Sequence, residues 1–197
     1  MIKAIRFEKT GGSDVLQYVD YDLPAPAKGQ VQVRHTAIGV NFIDTYHRTG
    51  LYALPLPSGL GSEAAGTVAA IGEGVTGFSV GDRVGYSSGA IGSYAEANNV
   101  PATKLVKLPG GISDETAAAI LLKGMTAQYL LKQTFVVKPG MTILFHAAAG
   151  GVGLIAVQWA KHLGASVIGT VGSDEKIRLV KDHGADHVIN SRKEDFV

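Results

Sequence analysis

The spacing of apolar residues changes period once along the chain. Up to about Pro109 they come in short runs that alternate with polar residues and are broken by glycines. In QVQVRHTAIGV the residues Val31, Val33, His35 and Ala37 fall on one face, the period of two expected of a half-buried strand, and AAGTVAAIG and GDRVGY repeat the texture. This half is predicted to be a compact β domain. After LPGG the pattern lengthens. Ser113 is a good N-cap with Asp114 and Glu115 in the first turn, and SDETAAAILLKGMTAQYLL is predicted to be helical with a possible break at Gly124. From VKPG onward the order is strand MTILFHA, helix GVGLIAVQWAKHLG, strand SVIGTV, helix DEKIRLVKDHG and strand HVINS. Such alternation specifies a parallel βαβαβ unit with right-handed crossovers. The first of these helices is predicted to pack Val152, Ile155, Ala156, Trp159, Ala160 and Leu163 on the sheet. The chain is therefore α/β, with domains expected over residues 1–124 and 125–197. No internal repeat or low-complexity tract interrupts it.

Composition narrows the function classes. With 46% hydrophobic and 18% charged residues over 197 positions, the chain has the material for a packed core. The net charge is +1 and the basic residues are scattered, which argues against duplex DNA as a partner. No run approaches the length of a membrane span, and MIKAIRFEKTGG lacks the regions of a signal peptide, so a cytoplasmic location is expected. The absence of cysteine excludes a disulfide framework and any thiolate-bound metal. The six histidines include no H-E-x-x-H pair, and no metal site is expected. GYSSG, residues 85–89, matches the nucleophile-elbow pattern, but that motif needs a helix directly after its serine, so a turn between strands is the better reading.

Two places carry chemistry. In HAAAGGVG, Ala148, Gly150 and Gly153 occupy the three glycine places of the dinucleotide fingerprint, between a strand and a helix whose N-terminal amides and dipole attract an anion. A phosphate is expected there, with packing alone as the alternative role for the glycines. The next strand ends in GTVGSDEK, with Gly172 and Ser173 where an NAD enzyme carries the acid that holds the ribose 2′-hydroxyl. Lys176 lies in the following first turn, where a cation is disfavoured unless it faces an anion such as a 2′-phosphate. These residues favour NADP(H), although Asp174 or Glu175 could yet reach the ribose, and Ser173 could simply cap the helix. The second place is GVNFIDTYHRTGLY, where Asn41, Asp44, Tyr46, His47 and Arg48 cluster just after a strand. Either Asn41 caps a solvated helical turn, or the cluster is a functional loop on a β scaffold.

The stretches GGSDVL, AIGVNFIDTY, PSGLGSEAAGTV, GEGVTGFSVGDRV, LLKGMTAQYLL and, above all, GMTILFHAAAGGVGLIAVQWAK resemble the medium-chain dehydrogenase/reductase superfamily. Within it the chain is most similar to the zinc-independent quinone oxidoreductases that include zeta-crystallin, and the likeness runs the length of the chain. It implies a GroES-like β-rich catalytic domain followed by a Rossmann-type NADPH-binding domain. In zinc-dependent relatives, catalytic zinc ligands lie near the positions of Asn41 and Ser62, and further cysteines hold a structural zinc.

For this chain the resemblance implies that NADPH is held by Asn41, Phe42, Ile43, Asp44, Tyr129, Ala149, Gly150, Gly151, Val152, Gly172, Ser173, Lys176 and Ser191. The family often has tyrosine where Ser191 stands. Asn41, Asp44 and Tyr46 are implied as the catalytic residues lining the nicotinamide and substrate cleft. The implied reaction is hydride transfer from NADPH to a quinone or related conjugated carbonyl, by a cytoplasmic enzyme that is a homodimer at full length. Family members are longer, with six strands in the dinucleotide sheet; three are expected here after Gly140, so the C-terminal half of that domain is expected to be missing. Two alternatives follow: a truncated, catalytically silent NADPH-binding or structural protein, or a reductase of enones or enoyl thioesters.

Overall fold

The computed structural model describes residues 1–195. The chain divides into two units, Met1–Leu122 and the residues from Lys123 onward. In the first unit the elements in chain order are β1 (Ile2–Phe7), β2 (Gln17–Tyr21), β3 (Gln30–Gly39), α1 (Phe42–Thr49), β4 (Ser58–Gly59), β5 (Glu63–Ile71), β6 (Arg83–Ser87), β7 (Ala97–Pro101) and β8 (Leu105–Lys107). Five of the strands form an antiparallel sheet in the order β7-β3-β5-β6-β8, and β2-β1-β4 form a second. The alternation in β3 is realised: Val31 and Val33 are fully buried, His35 and Ala37 half-buried, while Arg34, Thr36 and Ile38 are exposed. Facing Val68, Val84, Tyr86 and Val100 complete this core. After β6 the chain turns at Ser88 and Gly89, both in the left-handed region, and reaches β7 with no helix between, so GYSSG is the end of a strand followed by a turn and not a nucleophile elbow.

Helix α2 spans Asp114–Tyr129, and the division between the units falls inside it. The Ser113 hydroxyl caps it, accepting from the Thr116 N–H at 3.1 Å. The possible break at Gly124 does not occur. A single glycine costs a helix only about 1 kcal/mol, and the alanine- and leucine-rich flanks carry the turn through. Irregularity comes later instead, as a π-helical turn over Leu130–Thr134.

The second unit continues with β9 (Thr142–Phe145), α3 (Gly151–His162), β10 (Ser166–Val171), α4 (Glu175–Asp182) and β11 (His187–Asn190). Its strands form a parallel sheet in the order β11-β10-β9. Val157, Val167, Val180 and Val188 centre its core. The most buried line of α3 is Gly153, Ala156, Val157 and Ala160, with Val152, Ile155, Trp159 and Leu163 half-buried beside it. The expected face thus packs on the core and extends to Val157 and Gly153. At Gly153 a Cβ would lie 2.5 Å from the Ala148 carbonyl oxygen and 2.6 Å from that of Ala147.

Candidate functional site

In the first unit β3 delivers the chain to Asn41, the N-cap of α1. The Asp44 carboxylate turns back to accept the Asn41 N–H at 2.9 Å through Oδ2, and the Tyr94 hydroxyl donates to the same oxygen at 2.8 Å. Asn41 Nδ2 donates to Glu63 Oε2 at 2.6 Å, and the Leu122 N–H of α2 donates to Glu63 Oε1 at 2.7 Å. Glu63 is fully buried, Asp44 is 3% exposed and Asn41 8% exposed. Buried carboxylates persist only when hydrogen-bonded or paired, and these hydrogen bonds serve that need. Gly39 makes the room: a Cβ there would lie 2.4 Å from Glu63 Oε2 and 2.3 Å from the Ala118 carbonyl oxygen. Burial, and next the adjacent Asp44 carboxylate, push the Tyr94 hydroxyl well above the usual phenol range, so it remains a donor at neutral pH.

The outer side of α1 is aromatic. Phe42 is 74% exposed, and the half-buried Tyr46 packs edge-on against it and against Tyr52, with ring centroids 5.2 and 5.3 Å apart. Asn41 and Asp44 therefore share one inward network, whereas Tyr46 belongs to an outward aromatic cluster, with Ile43 half-buried between them in sequence. His35 is spoken for: its Nδ1 lies 2.7 Å from the Ala95 carbonyl oxygen and its Nε2 2.9 Å from the Tyr86 hydroxyl, and burial lowers its pKa. Among the described residues no group of three or more His, Asp or Glu side chains is placed to hold a metal.

In the second unit the turn from β9 to α3 is tied to β10 by the Ala148 N–H donating to the Thr170 carbonyl at 3.0 Å, and closed by the Gly150 N–H donating to the Ala147 carbonyl at 2.8 Å. The left-handed residue of the turn is Ala147, at φ 53°, one position before the fingerprint place held by the buried Ala148. Gly153 is the close-packing glycine, while Gly150 and Gly151 are exposed at the helix start, followed by the half-buried Val152 and preceded by the half-buried Ala149. An α-helix N-terminus exposed in this way presents unpaired amides to an anion. Tyr129, at the end of α2, is 45% exposed.

At the end of β10, Gly172 and Ser173 are half-buried, and Lys176 is exposed in the first turn of α4. The cap position of α4 belongs to Asp174, not Ser173. Ser191 packs back on β10, its N–H and hydroxyl both donating to the Val171 carbonyl, at 3.0 and 3.2 Å.

Residues 27–110 match the family described as alcohol dehydrogenase GroES-like domain, and residues 151–197 the one described as zinc-binding dehydrogenase, together more than half of the chain. The quinone oxidoreductase of Pseudomonas aeruginosa is 59% identical over 94% of this chain and 57% of its own length. The crystal structure of the Pseudomonas syringae quinone oxidoreductase is 56% identical, with a TM-score of 0.97 over 100% of this chain and 61% of its own. The Escherichia coli quinone oxidoreductase complexed with NADPH is 54% identical, with a TM-score of 0.96 over 99% and 60%. The chain thus combines the two sequence families found in medium-chain dehydrogenases/reductases, and along its length it is similar to quinone oxidoreductases. The chain spans about three-fifths of the length of the curated relatives it matches.

Three residues in these two clusters are not singled out by the local sequence. Glu63 is signalled only as a charged residue opening the otherwise apolar strand EAAGTVAAI. Tyr94 lies 50 residues from the Asp44 it binds. Arg192 lies beside Gly172, where a Cβ would be 3.6 Å from its Nε; a cation next to Ser191 is visible in sequence, but its neighbour is not.

Proposed function

We propose that this protein is an NADPH-dependent oxidoreductase that reduces a quinone or related conjugated carbonyl. The observation that carries the reading is the glycine turn at the start of α3, where exposed Gly150 and Gly151 carry no side chain and the first helical turn after Gly150 presents its orphan amides for a pyrophosphate, beside a strand end bearing Gly172, Ser173 and Lys176. The fit of these residues agrees with the NADPH named for the E. coli relative. NADPH when bound supplies the hydride.

The chain's own residues bind and orient. Gly150, Gly151 and Val152 hold the pyrophosphate, with Ala149 and Tyr129 beside it, and Ser173, Lys176 and Ser191 take the 2′-phosphate. Asn41 and Tyr46 hydrogen-bond the carboxamide or substrate carbonyl, flanked by Phe42 and Ile43. Asp44, inward and bonded to the Asn41 N–H, acts as a positioning residue. A cytoplasmic homodimer belongs to the same proposal.

The test is an equilibrium titration with NADPH followed by NADPH oxidation with 1,4-benzoquinone. Binding with turnover supports the reductase; binding without turnover supports a silent dinucleotide-binding protein. Tyr46→Phe with unchanged turnover would remove Tyr46 from the catalytic set. A second reading has specific support: the 2-haloacrylate reductase of Burkholderia is 47% identical over 100% of this chain, which favours a polarised alkene as acceptor. Rates on benzoquinone and on 2-chloroacrylate, measured side by side, separate the two.

A further inference from the structure

Strand β10 ends at Val171, and the residues after it occupy the place where a carboxylate would meet a ribose 2′-hydroxyl. The acid there is Asp174, and both of its oxygens are taken. Oδ1 accepts from Asn190 Nδ2 at 2.6 Å, and Oδ2 is paired with Lys193 Nζ at 2.5 Å. The captor is a well-tied turn following β11. Asn190 is 3% exposed. Its Oδ1 accepts the Arg192 N–H at 3.1 Å, its N–H donates to Glu194 Oε1 at 2.8 Å, and its carbonyl accepts the N–H groups of Lys193 and Glu194, each at 2.9 Å. The same turn lays the Arg192 guanidinium against Gly172, with Nε 3.6 Å and Cζ 3.9 Å from where a Cβ would be. No ion pair to Arg192 forms among the described residues. Lys176 adds a second cation in the first turn of α4, and Glu175 is the other carboxylate in that turn.

We propose that the Asn190–Lys193 turn sets a preference for a 2′-phosphorylated dinucleotide by capturing Asp174, so that this acid neither binds a 2′-hydroxyl nor repels a phosphate, while Arg192 is brought over Gly172. The proposal rests on the dinucleotide reading above and adds to it the device that decides between the two nicotinamide cofactors. It works by removing a repulsive element as much as by adding attraction. Asn190 supplies the rigid half of the capture and Lys193 the neutralising charge. Arg192 is left to present planar N–H donors to a phosphate.

The experiment is an equilibrium titration of NADPH and of NADH into the wild type, Lys193→Met, Asp174→Asn and the double variant, with thermal unfolding checked for each. Both exchanged side chains are more than half exposed, so neither exchange removes core packing. The wild type binds NADPH more tightly than NADH. Lys193→Met weakens NADPH roughly five- to tenfold with little change for NADH, because an uncovered carboxylate then faces a doubly charged phosphate across a partly screened distance. Adding Asp174→Asn restores NADPH binding to within about twofold of wild type, since the repelling charge is gone. A double variant as weak as Lys193→Met would show that Lys193 acts by touching the phosphate itself, and would overturn the proposal; so would an unchanged preference in Lys193→Met. A wild type that binds neither dinucleotide overturns the dinucleotide reading itself, whatever the variants do.

Discussion

Replacing Gly153 by alanine sets two well-measured effects against each other. Glycine in a helix costs about 1 kcal/mol relative to alanine, so propensity alone expects Gly153→Ala to stabilise α3. The surroundings oppose it. The new Cβ would lie 2.5 Å from the Ala148 carbonyl oxygen, 2.6 Å from that of Ala147 and 2.7 Å from the Ala148 carbonyl carbon. All three are backbone atoms of a turn held to β10, so relief means moving the start of α3 by about 0.8 Å. Overpacking of this kind costs about 1–3 kcal/mol, and after the propensity gain of about 1 kcal/mol a net loss centred on about 1 kcal/mol is expected. Gly124 in α2 provides the control, because a Cβ there meets nothing within 4 Å; Gly124→Ala should gain about 0.5–1 kcal/mol. Trp159, the single tryptophan, lies in α3 and reports on this unit by fluorescence. With a urea slope near 1 kcal/mol/M, Gly153→Ala lowers the midpoint by roughly 1 M and Gly124→Ala raises it. A Gly153→Ala midpoint equal to or above wild type would refute the reasoning, since it would mean that the helix start shifts at no cost.

Glu63→Leu removes a buried acceptor of the Asn41 amide and of the Leu122 N–H and is expected to cost about 2–4 kcal/mol; Glu63→Gln, which still accepts from Leu122, recovers part of it in a thermal unfolding series. Ala147→Gly relieves a left-handed alanine at φ 53° and should raise the Trp159 unfolding midpoint by about 0.5 kcal/mol or more. Tyr94→Phe removes a donor from the buried Asp44 carboxylate and should cost about 1–3 kcal/mol in the same unfolding assay. Asp114 is held below the usual carboxylate range by the Thr36 hydroxyl and next by Arg83. Its depressed folded pKa contributes stability above the unfolded value of about 3.9, lost as pH falls through the folded value. Asp114→Asn is therefore expected to flatten the acid limb of a stability–pH profile below about pH 4, read from urea midpoints.

The sequence by itself determined the order of elements, because the switch from a period of two to alternating strand and helix is a local property of side-chain spacing. Val31 and Val33 face inward as their alternation requires, and the strand–turn–helix around HAAAGGVG is where the glycines put it. Two features depended on neighbours. The possible break at Gly124 does not occur, since good helix formers on both sides outweigh one glycine, and the expected face of α3 does pack on the core but extends to Val157 and Gly153, where Gly153 meets two backbone carbonyls that lie outside the helix.

Only the tertiary structure decided the character of the polar cluster. Asn41 and Asp44 read in sequence as exposed loop residues, yet they are buried because Glu63 and Tyr94, 22 and 50 positions distant from them respectively, supply hydrogen bonds that no local pattern encodes. The same is true of Asp174. Its sequence place would let it hold a ribose, and it is withheld by Asn190 and Lys193, 16 and 19 residues further on. Local spacing specifies periodic elements through repeated contacts with near neighbours. Whether a particular carboxylate is buried, paired or available is set by single long-range contacts, and those exist only once the strands have been brought side by side.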